Sequence, residues 1–270
     1  MSSLRPHIAA ATGLFRRDLL LFASYRTRFA TTLFTSVVSL TLFYYVSRLI
    51  TSGRFASPDR YYAFVAVGLS FFAVVTATLS GPVATLRAEL QAGTFERMAA
   101  SPFGPVRGIA SLLAFPVTLA ALTAVFGLAF AGVAFGLDLR WSTAALALPV
   151  FLLAAAAFAP FGMAMAAAVV LFKQTNAGST FVIAAITLLA GVYFPVALLP
   201  GWIRWASDVQ PFTPALDLLR HVLIGLDTVE PVGVELLKLA GFAALALPLS
   251  LLLLRAAVES SRRRGTLIEY

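Results

Sequence analysis

The sequence predicts an all-α integral membrane protein with six transmembrane helices, and three observations carry that reading. Of the 270 residues, 60% are hydrophobic and only 12% are charged, whereas a soluble domain carries about 25% charged residues. The mean hydropathy is +0.91. A globule of this length has too little interior to hide so much apolar surface, so the surplus faces lipid. The charged residues also fall between long apolar blocks and not along one face. This sets aside a soluble enzyme, a disordered chain and a nucleic-acid binder, despite the net charge of +8. With no cysteine in the chain, disulfides, thiolate chemistry and Cys-ligated zinc are excluded.

Residues 1–28 mix Leu14, Phe15, Leu19, Leu21 and Phe22 with Arg16, Arg17 and Asp18 at helical spacing. That pattern predicts an amphipathic helix on the cytoplasmic surface, its arginines near anionic headgroups, with an ordinary polar lead-in as the alternative. It is not a cleavable signal peptide, because the long apolar block begins only at Phe29. Charge-free blocks then run over 29–47, 61–86, 108–137, 141–172 and 174–203, with a shorter one at 239–254. A span needs about 20 apolar residues, so the last block suffices if it starts near Val234 and Lys238 snorkels to the interface. Backbone satisfaction in lipid makes these blocks helices.

The resulting single permeating domain divides into 1–28 (interfacial helix), 29–198 (spans one to five), 199–233 (outer hairpin), 234–254 (span six) and 255–270 (basic tail). With both termini placed in the cytoplasm, thirteen of the 20 Lys and Arg residues lie inside, as the positive-inside rule asks. Location in the cell membrane, multi-pass, follows.

Missing residues narrow the function. The hydrocarbon blocks hold almost no ionisable side chain, which argues against ion-coupled carriers and channels with charged filters. No phosphate-binding Gly-rich loop with Lys is present, so any energy source sits on another chain. His7 and His221 lie far apart, without metal-ligand spacing, and neither a metal site nor a catalytic residue is expected. Thr31, Thr32, Thr35, Ser36 and Ser39 share one face of the first span; bonding to their own backbone competes with substrate contact as the reason. Gly132 with Gly136, and the alanines 154–157, read as helix-packing signals, and Gly81–Pro82 as a kink or end of the second span.

Two polar segments stand apart. Arg87 to Gly108 reads RAELQAGTFERMAASPFGPVRG, in which Glu89, Glu96 and Arg97 alternate with Leu90, Phe95 and Met98 and Pro102 and Pro105 close the run. One or two short amphipathic helices are expected, with Gly93 making a turn that Thr94 caps, and with charge beside exposed Phe and Met as on a docking surface. Val192 to Gly233 holds prolines at 195, 200, 211, 214 and 231 yet keeps Leu198, Leu199, Trp202, Ile203 and Trp205. This predicts a broken, re-entrant helical hairpin dipping into the outer leaflet. Asp217 and Arg220 are spaced i,i+3 for an ion pair, either solvated and weak or buried and costly to break.

Three stretches, ELQAGTFERMAASP (89–102), YFPVALLPGW…QPFTPALDLLRHVLIG (193–225) and the tail RRRGTLIEY, resemble the permease subunit of type-2 ATP-binding-cassette exporters. That family exports drugs, lipids and polysaccharides. The resemblance implies an ATPase subunit in two copies, a second permease chain (identical or related) and surrounding lipid as partners. ATP and magnesium would be held by the ATPase, and no cofactor by this chain. It makes the inner loop a coupling helix, with Glu89, Gly93, Thr94, Glu96, Arg97 and Pro102 as coupling residues. It makes Phe194, Pro195, Pro200, Trp202, Pro211, Pro214, Asp217 and Arg220 parts of an outer gate. A cavity between two permeases, lined by the first, second and fifth spans, would include Thr35, Ser39, Phe71, Phe72 and Thr187. An importer permease is the alternative within transport, Glu89 and Gly93 imitating its loop signature; a non-transporting membrane scaffold is the alternative outside it.

Overall fold

A computed structural model describes residues 4–24, 26–49, 55, 57–172 and 176–264. Lys173, Arg54 and the last six residues of the RRRGTLIEY tail lie outside the described residues. The described chain is helical throughout: α1 (Leu4–Ser24), α2 (Arg26–Leu49), α3 (Pro58–Gln91), α4 (Thr94–Ala100), α5 (Pro105–Ser111), α6 (Ala114–Phe135), α7 (Ala147–Phe172), α8 (Asn176–Leu189), α9 (Gly201–Val209), α10 (Phe212–Ile224) and α11 (Val232–Arg263). Short 3₁₀ turns precede α7 and α9.

Helix α3 is the axis of the fold. Ser57 opens it, its hydroxyl accepting the Arg60 N–H at 3.2 Å, with Pro58 in the first turn and Asp59 favourably placed at the positive end of the helix dipole. The helix then runs 34 residues without a break. The expectation that Gly81–Pro82 ends or kinks it at that point is corrected as to an end, because the helix continues to Gln91. Pro82 has no N–H for the Thr78 carbonyl, and Gly162 of α7 packs directly on that carbonyl, where a Cβ would approach to 2.2 Å. The neighbouring helix thus covers the gap that proline makes.

Helices α7, α6 and α2 pack on α3, and α11 packs on α7 and α10. Their shared core centres on Phe71, Phe158 and Phe212, with ring centroids 5.3 Å (71–212), 5.4 Å (158–212) and 6.1 Å (71–158) apart in edge-on geometries. Ala154 and Ala157 are fully buried in this core, the packing role their small size implies. A second core, built on Leu86, Phe95, Ile109, Leu112 and Leu254, lies at the end of the molecule that carries α4 and α5.

The packing glycine of the third span is not the expected one. Gly136 ends α6 in the left-handed conformation (φ 67°), and Gly132 has only ordinary contact space. It is Gly127 that lets α6 approach α2, with the Ser36 hydroxyl 2.9 Å from where a Cβ would stand.

Among the described residues, five helices are long and apolar enough to cross a membrane: Ala30–Leu49, Pro58–Gln91, Pro105–Phe135, Ala144–Phe172 and Val232–Arg263. The sixth span of the sequence reading is the last of these, lengthened at its start, with Lys238 reaching back to Glu230 at 2.7 Å. The fifth apolar block does not form one long helix. Its helix α8 has 14 residues, about 21 Å at 1.5 Å per residue, short of about 30 Å of hydrocarbon. Gly191 turns the chain with φ 67° and Pro195 and Pro200 prevent its resumption.

Candidate functional site

Three neighbouring features follow α3 from end to end: a short helical platform, a long groove and a clamped hairpin. The platform begins where α3 stops at Gly93, whose φ of 65° reverses the chain with nothing within 4 Å of its missing Cβ. Thr94 does not cap α4. Its hydroxyl turns back to the backbone carbonyl (3.2 Å) and to the carboxylate of Glu89, closing the turn. Phe95 is buried, not exposed, and Met98 packs on Gly108, so the apolar face of α4 anchors the platform to α3 and α5. The reason is amphipathicity at helical spacing: Phe95 and Met98 lie three apart on one face. Glu96, Arg97 and Pro102 stay exposed. From α11, Arg262 donates to the Ala99 carbonyl at 2.9 Å and ties the far end of the chain to the same platform.

Glu89 points inward from this platform and is almost fully buried. Its second oxygen pairs with Arg17 of α1 at 2.6 Å, while Arg17 also holds Asp18 at 2.8 Å. Burial works against the Arg17 charge, but Asp18 and Glu89 outweigh it and raise the guanidinium above its ordinary value. Of the two arginines expected among headgroups, then, Arg16 is exposed and Arg17 is turned into the protein. Helix α1 also rests Phe15 and Phe22 edge-on against Phe115 of α6, and His7 lies 3.1 Å from the Arg107 guanidinium of α5.

A groove of about 970 Å³ starts at Arg17, Asp18 and Glu89 and extends to Tyr193 at the far end, between α1, α2, α3 and α6. Thr35, Ser39 and Phe72 line it. Phe71 instead belongs to the aromatic core, and Thr187 donates to the Ile183 carbonyl at 2.6 Å within α8. The groove therefore uses the first three spans; from the region of the fifth it takes only Tyr193. Sequence reasoning missed its principal wall, the stripe Ala73, Thr76, Ala77, Ser80, Gly81 and Ala84 on α3. Small residues at i,i+3 and i,i+4 through an otherwise bulky span are the signal that marks it. Thr35 donates to the Thr31 carbonyl at 2.8 Å, the self-bonding reading of the first span's hydroxyls.

At the opposite end, α8, α9 and α10 form the broken hairpin. Arg204 staples its first half by donating to the carbonyls of Ala197 (2.8 Å) and Leu199 (3.0 Å). Ser207 is buried and donates to the Leu189 carbonyl at 2.8 Å. Trp202 is 77% exposed and its neighbour Trp205 64%, a placement suited to a membrane interface. Pro195 and Pro200 precede the 3₁₀ turn and α9, Phe194 is half-buried beside Gly191, and Pro211 and Pro214 are buried at the start of α10. The Asp217–Arg220 ion pair does not form. Arg220, 3% exposed, donates instead to the carbonyls of Phe64 (3.1 Å), Gly191 (2.9 Å) and Val192 (3.1 Å) and lies 3.3 Å from the Phe64 ring centroid. The helix break at Gly191 leaves the carbonyls of Gly191 and Val192 without intrahelical donors, and they accept the guanidinium N–H groups that Asp217 would otherwise have taken.

A family model of the ABC-2 type transporter matches residues 13–224, from α1 to the end of α10. The chain belongs to this family. Nodulation protein J of Rhizobium meliloti (strain 1021) is 31% identical over 116 residues, 43% of this chain and 44% of that protein. Nodulation protein J of Rhizobium leguminosarum bv. trifolii is 30% identical over 180 residues, 60% of this chain and 66% of that protein. The chain thus spans about half to two thirds of these relatives. As a member of the ABC-2 type transporter family with five membrane-length helices among the described residues, it is a multi-pass membrane protein. Platform, groove and hairpin all fall within the ABC-2 match.

Proposed function

We propose that this chain is the membrane subunit of an ATP-driven exporter, powered by a separate ABC ATPase that docks on residues 87–107. The cargo is an amphipathic molecule: a drug, a lipid or a lipid-linked glycan. One observation carries the reading. Helix α3 lines the groove along its length, and α4, which follows it after the Gly93 turn, is packed back on it through Phe95 and the Thr94–Glu89 hydrogen bond, so a push on Glu96 and Arg97 is passed to the groove wall.

Two ATPase copies and a second permease chain complete the complex, and the platform end faces the cytoplasm. The basic residues Arg97, Arg107, Arg262, Arg263 and Arg264 at that end support this orientation. Among the described residues, no group of three or more His, Cys, Asp or Glu is placed to hold a metal ion, and nucleotide and magnesium belong to the partner. Reconstituted with its ATPase, the Glu96→Arg variant is expected to hydrolyse ATP while export falls by tenfold or more on the order of a single lost docking contact. Normal export by that variant would remove the docking role from the loop.

A further inference from the structure

The hydrogen bonds of the groove wall set the chemistry of its occupant. Thr35, Thr76, Ser80, Thr85 and Thr123 each donate their hydroxyl proton to a carbonyl of their own helix, at 2.7–2.9 Å. A hydroxyl has one proton and two lone pairs. Having donated, each of these presents only acceptor capacity to the groove. Its charged lining residues are confined to one mouth, where two carboxylates, Asp18 and Glu89, face the single guanidinium of Arg17. Arg17 is already bound to both. These five hydroxyls therefore offer acceptors, the carboxylates at the mouth outnumber the cation among the lining residues, and no uncommitted cationic donor is among them. Phe22, Phe72, Phe115 and Tyr193 add aromatic surface at intervals from mouth to far end.

We infer that the groove selects a cationic, amine-bearing amphiphile and rejects phosphate-bearing lipids. An ammonium brings donors to these five acceptors, gains Coulomb attraction at the carboxylate mouth, and finds aromatic faces on its path. A phosphate meets repulsion from the two carboxylates at the mouth and finds there only the guanidinium of Arg17, already bound to both. This inference rests on the export reading above and narrows its cargo from three classes to one.

The test uses the purified full chain in phosphatidylcholine nanodiscs, without ATPase. Fluorescence anisotropy compares a fluorescently tagged dodecylammonium with dodecyl phosphate carrying the same tag. The ammonium is expected to bind about tenfold tighter or more, and Asp18→Asn to weaken it by about three- to fivefold while leaving phosphate binding unchanged or improved. Thr76→Val removes one wall acceptor away from the charged mouth and is expected to weaken ammonium binding about twofold. It keeps the test decisive if Asp18→Asn disturbs folding. Equal or tighter binding of the phosphate, or ammonium binding indifferent to both substitutions, overturns the inference. Since no ATPase is present, a failure of docking leaves this result untouched. Coupled export of a phosphate-bearing lipid by the intact complex would overturn the inference while leaving the exporter reading in place.

Discussion

The two ends of α3 treat charge in opposite ways. At the hairpin end, Arg220 is buried and all of its described contacts are made inside the chain: three backbone carbonyls and one aromatic ring. At the platform end, Glu96 and Arg97 are exposed and no described residue pairs with them. A buried cation held by carbonyls is a fastening. Exposed, uncommitted charges on a helix whose apolar face is already buried are a surface made for something else. The same helix joins the two, which is why one end can be fixed while the other is pushed.

If this contrast holds, substitutions at the hairpin end will act on stability and those at the platform on coupling. The largest loss is expected for Arg220→Ala. It strands the non-helical carbonyls of Gly191 and Val192 in the interior and should cost about 3–5 kcal/mol, read from thermal unfolding in detergent. Arg220→Lys should recover only part of that, because a point charge cannot fork between carbonyls on two segments. A stable Arg220→Ala protein would break the contrast outright.

Gly162→Ala comes next. Its new methyl meets the Thr78 carbonyl, where backbone and not a flexible side chain must yield, and about 1–3 kcal/mol should be lost. Arg17→Ala leaves the buried Glu89 carboxylate without its cation, so about 1–3 kcal/mol is expected in the same unfolding experiment. Smallest is Glu96→Arg, within about 0.5 kcal/mol of the parent chain. A marked loss of stability there would mean that the platform charge is structural after all.

How much of this is legible in the sequence depends on what decides each feature. The spans, the paired short helices after Gly93 and the broken hairpin follow from apolar length, glycine and proline, which act locally. The failure of the fifth block to form one helix was also written locally, in Gly191 and Pro195, but was outweighed in reading by the length of its apolar run. Arg220 is different. Its i,i+3 neighbour Asp217 made an ion pair the local expectation, and only the tertiary approach of Phe64 and Val192 shows where the guanidinium goes. Thr94 likewise suggested a cap, yet bonds backward because Glu89, five residues earlier, is held by Arg17 from another helix. The groove wall lay in view as small residues on one face of the second span; its meaning needed α6 and α1 to be placed opposite.

The central claim is that the platform, and not the hairpin, meets the energy-supplying partner. It is tested most directly by placing a photo-crosslinking amino acid at position 96 and, in a separate protein, at position 202, both exposed sites, in membranes containing the whole complex. The account predicts an adduct with an ABC ATPase subunit from position 96 and none from position 202. An ATPase adduct from 202, or its absence from 96 in an export-competent complex, would contradict it.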